Sequence, residues 1–144
     1  MSPEQVALVR DSVRAMGPRM DAVADEFYRR VFARDPSLRA MFAGDLVTQR
    51  RKFADELQAI VTAIPDIGAF LDRARLLGAR HSGYGVRTGH YRQFRDLLLE
   101  TFAAELGDAW TEELAVAWHR AYDMVAEAMM MGVPRSTGAS FFTR

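Results

Sequence analysis

The sequence predicts an all-α fold, because apolar residues recur at helical spacing along most of the chain and no segment shows a convincing strand alternation. The chain has 144 residues, of which 49% are hydrophobic and 26% charged, a balance that suits one globular domain with one core. Gly, Pro and Asp interrupt the pattern and divide it into about seven helices, one of them very short. We expect the domain to occupy residues 1–133 and the segment 134–144 to be a mobile tail.

The first three predicted helices begin and end at recognisable signals. Ser2-Pro3-Glu4-Gln5 has the pattern of a capping box with proline in the first turn, and Gly17-Pro18 interrupts the helix that follows. A second helix is predicted from about Pro18 to Arg34, before Asp35-Pro36-Ser37 turns the chain. Apolar residues within 38–42 then indicate a short helix.

Four longer helices are predicted after this corner, from about Thr48 to Ile64, Asp66 to His81, Thr88 to Leu106 and Thr111 to Met131. Proline or glycine follows three of them and marks where they end. Their inward stripes contain Phe53, Leu57 and Ile60, then Phe70, Ala74 and Leu77, then Tyr91, Phe94 and Leu98, and finally Leu114, Trp118 and Val125.

The charge and cysteine content exclude several classes of protein. Nineteen basic residues balance nineteen acidic ones without a long run of one sign, so nothing points to nucleic acid or to an anionic membrane surface. With no cysteine, the chain has no disulfide, thiolate metal site, iron–sulfur cluster or thioether-held cofactor. The N-terminus does not resemble a signal peptide, and no apolar run is long enough to span a bilayer. We therefore expect a cytoplasmic location.

His81 is the residue that points most directly to chemistry. Phe70, Ala74 and Leu77 precede it by eleven, seven and four residues, so that all four lie on one helix face and the imidazole is aimed at a core. Neutral imidazole is the commonest protein ligand of iron and zinc. The alternative is a core histidine that hydrogen-bonds a carbonyl, which is ordinarily the commoner role of a lone buried histidine.

Several segments together favour the ligand interpretation. Residues 76–86 (LLGARHSGYGV), followed by His90-Tyr91, resemble the proximal region of the globin family, in particular of bacterial single-domain haemoglobins and the globin domain of flavohaemoglobins. Residues 27–32 (FYRRVF) and 35–38 (DPSL) resemble the second helix and the following corner of these proteins. Residues 117–122 (AWHRAY) resemble their last helix. The resemblance covers about Glu4 to Met131.

The resemblance implies a haem b site in which His81 is the proximal iron ligand. Phe42 would wedge against the porphyrin, and Val86 would contact it just beyond the proximal helix. Lys52 and Arg80 are candidates for the haem propionates, although both fit solvated surface charges equally well. The full set of implied haem contacts is Phe42, Lys52, Phe53, Leu77, Arg80, His81, Val86, Tyr91 and Val125.

On the distal side, the resemblance places Tyr28, Gln49 and Phe53 over the open iron position. A hydroxyl or amide donor there would stabilise the negative charge that bound oxygen draws from iron. Tyr28 also fits a boundary tyrosine with its hydroxyl in water, and Gln49 an ordinary polar residue early in a helix. Residues 49–53 contain no histidine, so a second imidazole on iron is not expected.

Two departures from flavohaemoglobins bear on activity. Their reductase would follow the globin, whereas only a short tail follows Met131, and we expect no built-in electron source. Gly83 and Gly85 do not complete a dinucleotide fingerprint, since Thr88 stands where its third glycine should be. Flavohaemoglobins also pair a proximal tyrosine, matched here by Tyr91, with a glutamate, whereas this chain has Val133 at the corresponding position, fifteen residues beyond Trp118.

The resemblance thus implies a globin that reversibly binds oxygen, with affinity for carbon monoxide and nitric oxide, as an oxygen carrier. The main alternative is an enzyme that oxidises nitric oxide to nitrate or reduces nitrite with electrons from a separate reductase. A gas sensor, although no output domain is seen, and a helical protein without haem are further alternatives. The chain is compatible with a monomer or a homodimer.

Overall fold

The structure is a computed structural model that describes residues 1–42, 45–83 and 87–131. Within these ranges the chain forms six α-helices and three 3₁₀ turns and no strand, which confirms the all-α prediction. The proposed tail 134–144, together with Val133 and Val86, lies outside the described residues. The helices are α1 Pro3–Met16, α2 Met20–Arg34, α3 Leu46–Ala63, α4 Ile67–Gly83, α5 Thr88–Leu106 and α6 Glu112–Met131, and the 3₁₀ turns are Gly17–Arg19, Pro36–Met41 and Gly107–Ala109.

The first two helices begin as local chemistry dictates. The capping box at α1 is confirmed, since Ser2 Oγ accepts from the Gln5 amide at 3.1 Å and the Gln5 side chain accepts from the Ser2 amide at 3.0 Å. α2 begins at Met20, two residues later than predicted, because Pro18 lies inside a separate 3₁₀ turn.

The helices that carry the candidate site are slightly longer than the sequence pattern predicts. α3 starts at Leu46 instead of Thr48, because the Asp45 carboxylate accepts from the Val47 amide at 2.8 Å and from Thr48 Oγ1 at 2.9 Å. α4 continues to Gly83 and not only to His81. His81 therefore stands within the last turn of a helix.

α6 is the central helix of the core and packs against α4, α1 and α5. Trp118 on α6 donates its indole N–H to Ser12 Oγ on α1 at 2.8 Å, and its ring lies 4.7 Å from that of Phe102 on α5. α2 packs on α5 and α3, whereas α4 packs mainly along α6. This arrangement leaves α3 and α4 as a helical hairpin at one side of the core. In the ranges described, no helix has the length and apolarity needed to cross a bilayer.

Candidate functional site

Aromatic side chains from α2, α3, α5 and the corner before α3 meet beside the α3–α4 hairpin. The Tyr28 ring lies 5.2 Å from that of Phe42 and 6.0 Å from that of Phe53. Phe27 stacks on Phe53 at 5.3 Å and meets the edge of Phe94 at 6.4 Å. We call Phe27, Tyr28, Phe42, Phe53 and Phe94 the aromatic cluster. The fold therefore brings together three residues singled out in the sequence, namely Tyr28, Phe42 and Phe53.

Tyr28 is a buried residue, not a boundary residue with its hydroxyl in water. Its exposed fraction is 7%, and burial raises the pKa of the phenol to about 12. Its hydroxyl donates to the main-chain carbonyl of Gln49 at 3.5 Å, which is at the long limit for such a bond. At neutral pH Tyr28 thus keeps its proton and has only a weak acceptor for it.

The face of α3 that meets the aromatic cluster carries Gln49, Phe53 and Leu57, each one helical turn apart and each only partly buried. Next to them, Arg50 pairs with Asp25 of α2 at 2.8 Å and fastens the start of α3 to α2. Lys52, in contrast, is exposed.

His81 has its ring fixed by its own helix. Nδ1 lies 2.9 Å from the Leu77 carbonyl oxygen, and since a carbonyl only accepts, Nδ1 carries the proton and the lone pair of the neutral ring belongs to Nε2. Burial lowers the pKa of His81, helped by Arg80 and opposed by the Leu77 hydrogen bond and by Glu56. The fold thus favours the neutral imidazole that metal ligation requires.

An ion pair sets the level of α4 relative to α3. Arg73 Nη1 lies 2.9 Å from Glu56 Oε2, and a connection of only three residues between the helices makes them run antiparallel. Counting seven residues from each partner of this pair toward the open end of the hairpin reaches Gln49 on α3 and Arg80, next to His81, on α4. The distal candidates on α3 and the proximal candidate on α4 therefore lie toward the same end of the hairpin.

Tyr91 and Tyr122 occupy the neighbouring region between α5 and α6. Tyr122 donates its hydroxyl to the main-chain carbonyl of Tyr91 at 2.6 Å, and burial raises the pKa of both phenols. The Tyr91 side chain is 6% exposed, yet its hydroxyl makes no hydrogen bond to any residue that the structure describes. A buried hydroxyl without a partner among the described residues is uncommon and calls for an explanation.

The remaining predicted contacts differ in accessibility. Leu77 and Val125 are partly buried at the edge of the core, whereas Arg80 is exposed like Lys52. The other two histidines have local partners. His90 Nδ1 accepts from the Arg87 amide at 2.8 Å, and His119 lies 3.4 Å from Asp123. Among the described residues no group of three His, Cys, Asp or Glu side chains is placed to hold a metal ion.

Sequence reasoning missed three residues that shape this site. Glu56 acts on His81 from the facing helix, Tyr122 holds the main chain of Tyr91, and Gly78 allows α4 to approach α6 closely. A glycine in a helix interior is a signal that could have been noticed, since it costs about 1 kcal/mol relative to alanine. Glu56 and Tyr122 carry no comparable signal, because their roles depend on which helices meet.

The globin family profile matches residues 25–129, and the chain therefore belongs to the globin family. The flavohemoprotein of Bordetella pertussis is 29% identical over 150 residues, which cover 100% of this chain but 36% of that protein. The chain thus spans about a third of the length of such relatives.

Two further relatives match over almost their whole length. The anaerobic nitrite reductase NSHB5 of Oryza sativa subsp. indica is 28% identical, with 89% of this chain and 92% of that protein covered. A solved structure of an engineered carbene transferase, derived from a putative nitric oxide dioxygenase of Rhodothermus marinus, is 32% identical, with a TM-score of 0.79 and 91% and 92% of the two chains covered.

Proposed function

We propose that this globin binds haem b through His81 and reversibly binds oxygen, carbon monoxide and nitric oxide on the opposite face of the haem. The observation that carries the proposal is the His81 ring, neutral by burial and oriented by its Nδ1 hydrogen bond to the Leu77 carbonyl. A ligating histidine typically donates its other ring N–H to such a carbonyl, which fixes the tautomer and the ring plane.

The surrounding residues fit a haem. The partly buried face of α3 carries Gln49 and Phe53 at the end of the hairpin that holds His81, and the buried Tyr91 hydroxyl, which has no partner among the described residues, would lie on the proximal side. Bound haem would supply an iron that holds diatomic gases. The residues that would hold it are His81 at the iron, Phe42, Phe53, Leu77, Val86, Tyr91 and Val125 on the porphyrin, and Lys52 and Arg80 at the propionates.

Tyr28 would control the gas-binding side. Its buried hydroxyl remains protonated and is engaged only by the 3.5 Å bond to Gln49, so that a better acceptor nearby would attract it. In a dry pocket a hydroxyl donor stabilises a polar ligand such as oxygen more than an apolar one such as carbon monoxide. Gln49 is the second candidate donor.

Visible absorption spectra of the oxidised and reduced purified protein test this proposal. We expect haem spectra from the wild type, and loss of haem, or a site that added imidazole restores, from His81→Ala. His119→Ala is the matched control, because His119 is exposed and pairs with Asp123 of its own helix, α6. A colourless wild type, or unchanged spectra and haem retention in His81→Ala, would overturn the assignment.

A second candidate function is enzymatic, and the names of the relatives favour it. One is an anaerobic nitrite reductase, and another derives from a putative nitric oxide dioxygenase. In this role the protein would oxidise nitric oxide to nitrate with dioxygen as the oxidant, or reduce nitrite, and a reductase partner would supply the electron that each turnover requires. Rapid, sustained turnover with an added reductase would support it, whereas gas binding without turnover would support the carrier.

A further inference from the structure

Gly78 is a glycine in the interior of α4, which runs from Ile67 to Gly83. A helix-interior glycine lowers stability by about 1 kcal/mol relative to alanine, so its presence calls for a reason in the packing. The residue is buried, and its surroundings supply that reason.

The backbones of α4 and α6 meet at this point. A Cβ atom added to Gly78 would overlap the carbonyl oxygen of Met129 and lie 2.7 Å from the Met129 Cα. Carbon atoms pack at about 3.5–4.0 Å, and since the obstacle is main chain, no change of rotamer clears it. An alanine here therefore requires the two helices to separate by on the order of 1 Å.

Gly68 and Gly89 behave differently, although both lie in helices. Among the described residues, a Cβ at Gly68 would have Asp66 Oδ1 at 3.7 Å as its nearest neighbour, and one at Gly89 would meet no atom within 4 Å. Glycine is thus sterically required at position 78 and not at these two positions, which makes them matched controls.

The contact lies one turn before His81. The hydrogen bond from His81 Nδ1 to the Leu77 carbonyl ties the imidazole to the same turn as Gly78, so that a shift of this turn carries the ring with it. His81 follows Gly78 by three residues, so its side chain points about 60° around the helix axis from the direction of the Gly78–Met129 contact. If α4 moved away from α6, the imidazole would therefore move mainly sideways and would retreat from the site by about half of the helix displacement.

We propose that Gly78 is a positioning residue for His81. Its close contact with the Met129 main chain sets how near α4 lies to α6, and thereby where the imidazole stands in the site. The inference rests on the proposed role of His81 as an iron ligand and specifies which contact fixes the position of that ligand.

The test compares Gly78→Ala with Gly68→Ala and Gly89→Ala in the haem-loaded protein. We measure the ferrous iron–histidine stretching frequency and the rate at which haem transfers to an acceptor apoprotein. We expect Gly78→Ala to lower the frequency and to lose haem about tenfold faster, given the sensitivity of such sites to small misplacements. The two control variants should match the wild type in both measurements.

Val9→Ala is a control for general loss of stability. Val9 is a fully buried residue of α1, so its truncation leaves a cavity in the core without altering α4 itself. If Val9→Ala, although less stable, keeps the wild-type frequency while Gly78→Ala does not, the positioning role is supported. An unchanged frequency and haem loss in Gly78→Ala, or equal changes in Val9→Ala, would overturn it.

A Gly78→Ala protein that fails to fold would also overturn the proposal, because the contact would then support the whole fold. A measurement on the wild type is independent of folding in the variant. Selective ¹³C labelling of glycine should show a nuclear Overhauser effect between the Gly78 Hα and Met129 Hα protons, and its absence would refute the contact. The two proposals fail in different ways. If His81→Ala shows that His81 is not the ligand, the proposed function is wrong and the positioning role of Gly78 falls with it. If His81→Ala loses haem but Gly78→Ala behaves like the control variants, only the positioning role is wrong.

Discussion

Tyr122 on α6 donates its hydroxyl to the main-chain carbonyl of Tyr91 on α5 at 2.6 Å, while the hydroxyl of Tyr91 itself has no partner among the residues described. The bond joins the two helices through the backbone of α5 and does not involve the Tyr91 phenol. The position of Tyr91 is therefore fixed independently of its hydroxyl, which separates the packing role of this residue from any hydrogen-bonding role.

This separation predicts opposite stability effects for two similar substitutions in the haem-free protein. Tyr122→Phe removes a buried hydrogen bond and should lower the free energy of unfolding by about 1 kcal/mol. Tyr91→Phe removes a buried hydroxyl that lacks a partner among the described residues, so stability should stay the same or increase. Urea unfolding at neutral pH measures both. A loss in Tyr91→Phe as large as that in Tyr122→Phe would show that the Tyr91 hydroxyl has a partner outside the described ranges.

The Tyr28→Phe variant tests whether the Tyr28 hydroxyl donates a hydrogen bond to oxygen on the proposed distal side. Removal of a hydroxyl that contributes about 1–2 kcal/mol to polar bound oxygen should raise the oxygen dissociation rate roughly 5- to 30-fold. Carbon monoxide, which is less polar when bound, should be affected far less. Stopped-flow displacement of each gas gives the rates, with Ser12→Ala as a control for loss of a buried hydroxyl on α1, outside the aromatic cluster. If oxygen release is unchanged, or both gases respond equally, Gln49 and not Tyr28 is the donor.

Burial of Tyr28 also predicts a dependence of stability on alkaline pH. The pKa of the phenol rises from 10.0 to about 12, so between these pH values the folded state keeps a proton that the unfolded state has released. Stability should therefore be unaffected below pH 10 and fall as the pH rises through this window. Across the whole window, a pKa shift of this size at Tyr28 should lower the free energy of unfolding by about 3 kcal/mol.

Unfolding of wild type and Tyr28→Phe across this pH range measures the effect. The variant should lose less stability than the wild type, although not all of the dependence disappears, because burial raises the pKa values of Tyr91 and Tyr122 in the same direction. Parallel curves for the two proteins would show that the Tyr28 hydroxyl is hydrated.

The contact between α1 and α6 gives a further stability prediction. Trp118 donates to Ser12 Oγ at 2.8 Å, and both side chains are buried. Ser12→Ala leaves the indole N–H without its acceptor and should lower the free energy of unfolding by about 1–3 kcal/mol. In the Trp118→Phe background, where no donor remains, Ser12→Ala should cost less. Additive losses in the double variant would mean that the hydrogen bond contributes nothing.

Much of the fold is local and was therefore predictable from the sequence. The capping box at Ser2 and Gln5 and the start of α5 at Thr88 depend only on neighbouring residues, and the structure confirms both. Helical spacing also placed Phe70, Ala74 and Leu77 on one face with His81. The largest error in a helix start, at α2 and α3, is two residues and arises where a 3₁₀ turn or a side-chain cap decides the boundary.

The parts of the site that were not predicted depend on contacts between helices. Gly78 requires knowledge that α4 and α6 touch, and Glu56 requires the level at which α3 faces α4. Periodicity shows which face of a helix is apolar but not which helix covers it, so the partner of a residue such as Tyr122 remained unassigned. Tyr28 illustrates the same limit. Its sequence position fitted both a buried hydrogen-bond donor and a boundary tyrosine with its hydroxyl in water, and only the structure shows that the residue is buried.

The residues on the proposed proximal side bear on whether the protein is an oxygen carrier or an enzyme. The push on iron that assists oxygen chemistry requires a strongly hydrogen-bonded or anionic histidine, usually supported by a carboxylate. The chain has Val133 where flavohaemoglobins are expected to have that acid, and the Tyr91 hydroxyl has no acceptor in the described part of the chain. We therefore expect Tyr91→Phe to change the ferrous iron–histidine stretching frequency only slightly.

We also expect nitric oxide consumption by the purified 144-residue protein to require an added reductase and to remain limited by electron delivery. An electrode trace of nitric oxide with a nicotinamide donor alone, and then with reductase, measures this requirement. The Gly89→Ala protein is a suitable control, because the added methyl group contacts no residue in the described ranges. A large downward shift of the frequency in Tyr91→Phe, or sustained turnover with the nicotinamide donor alone, would reveal a proximal relay or an electron path that the residues named here do not provide, and the dioxygenase would then become the first candidate.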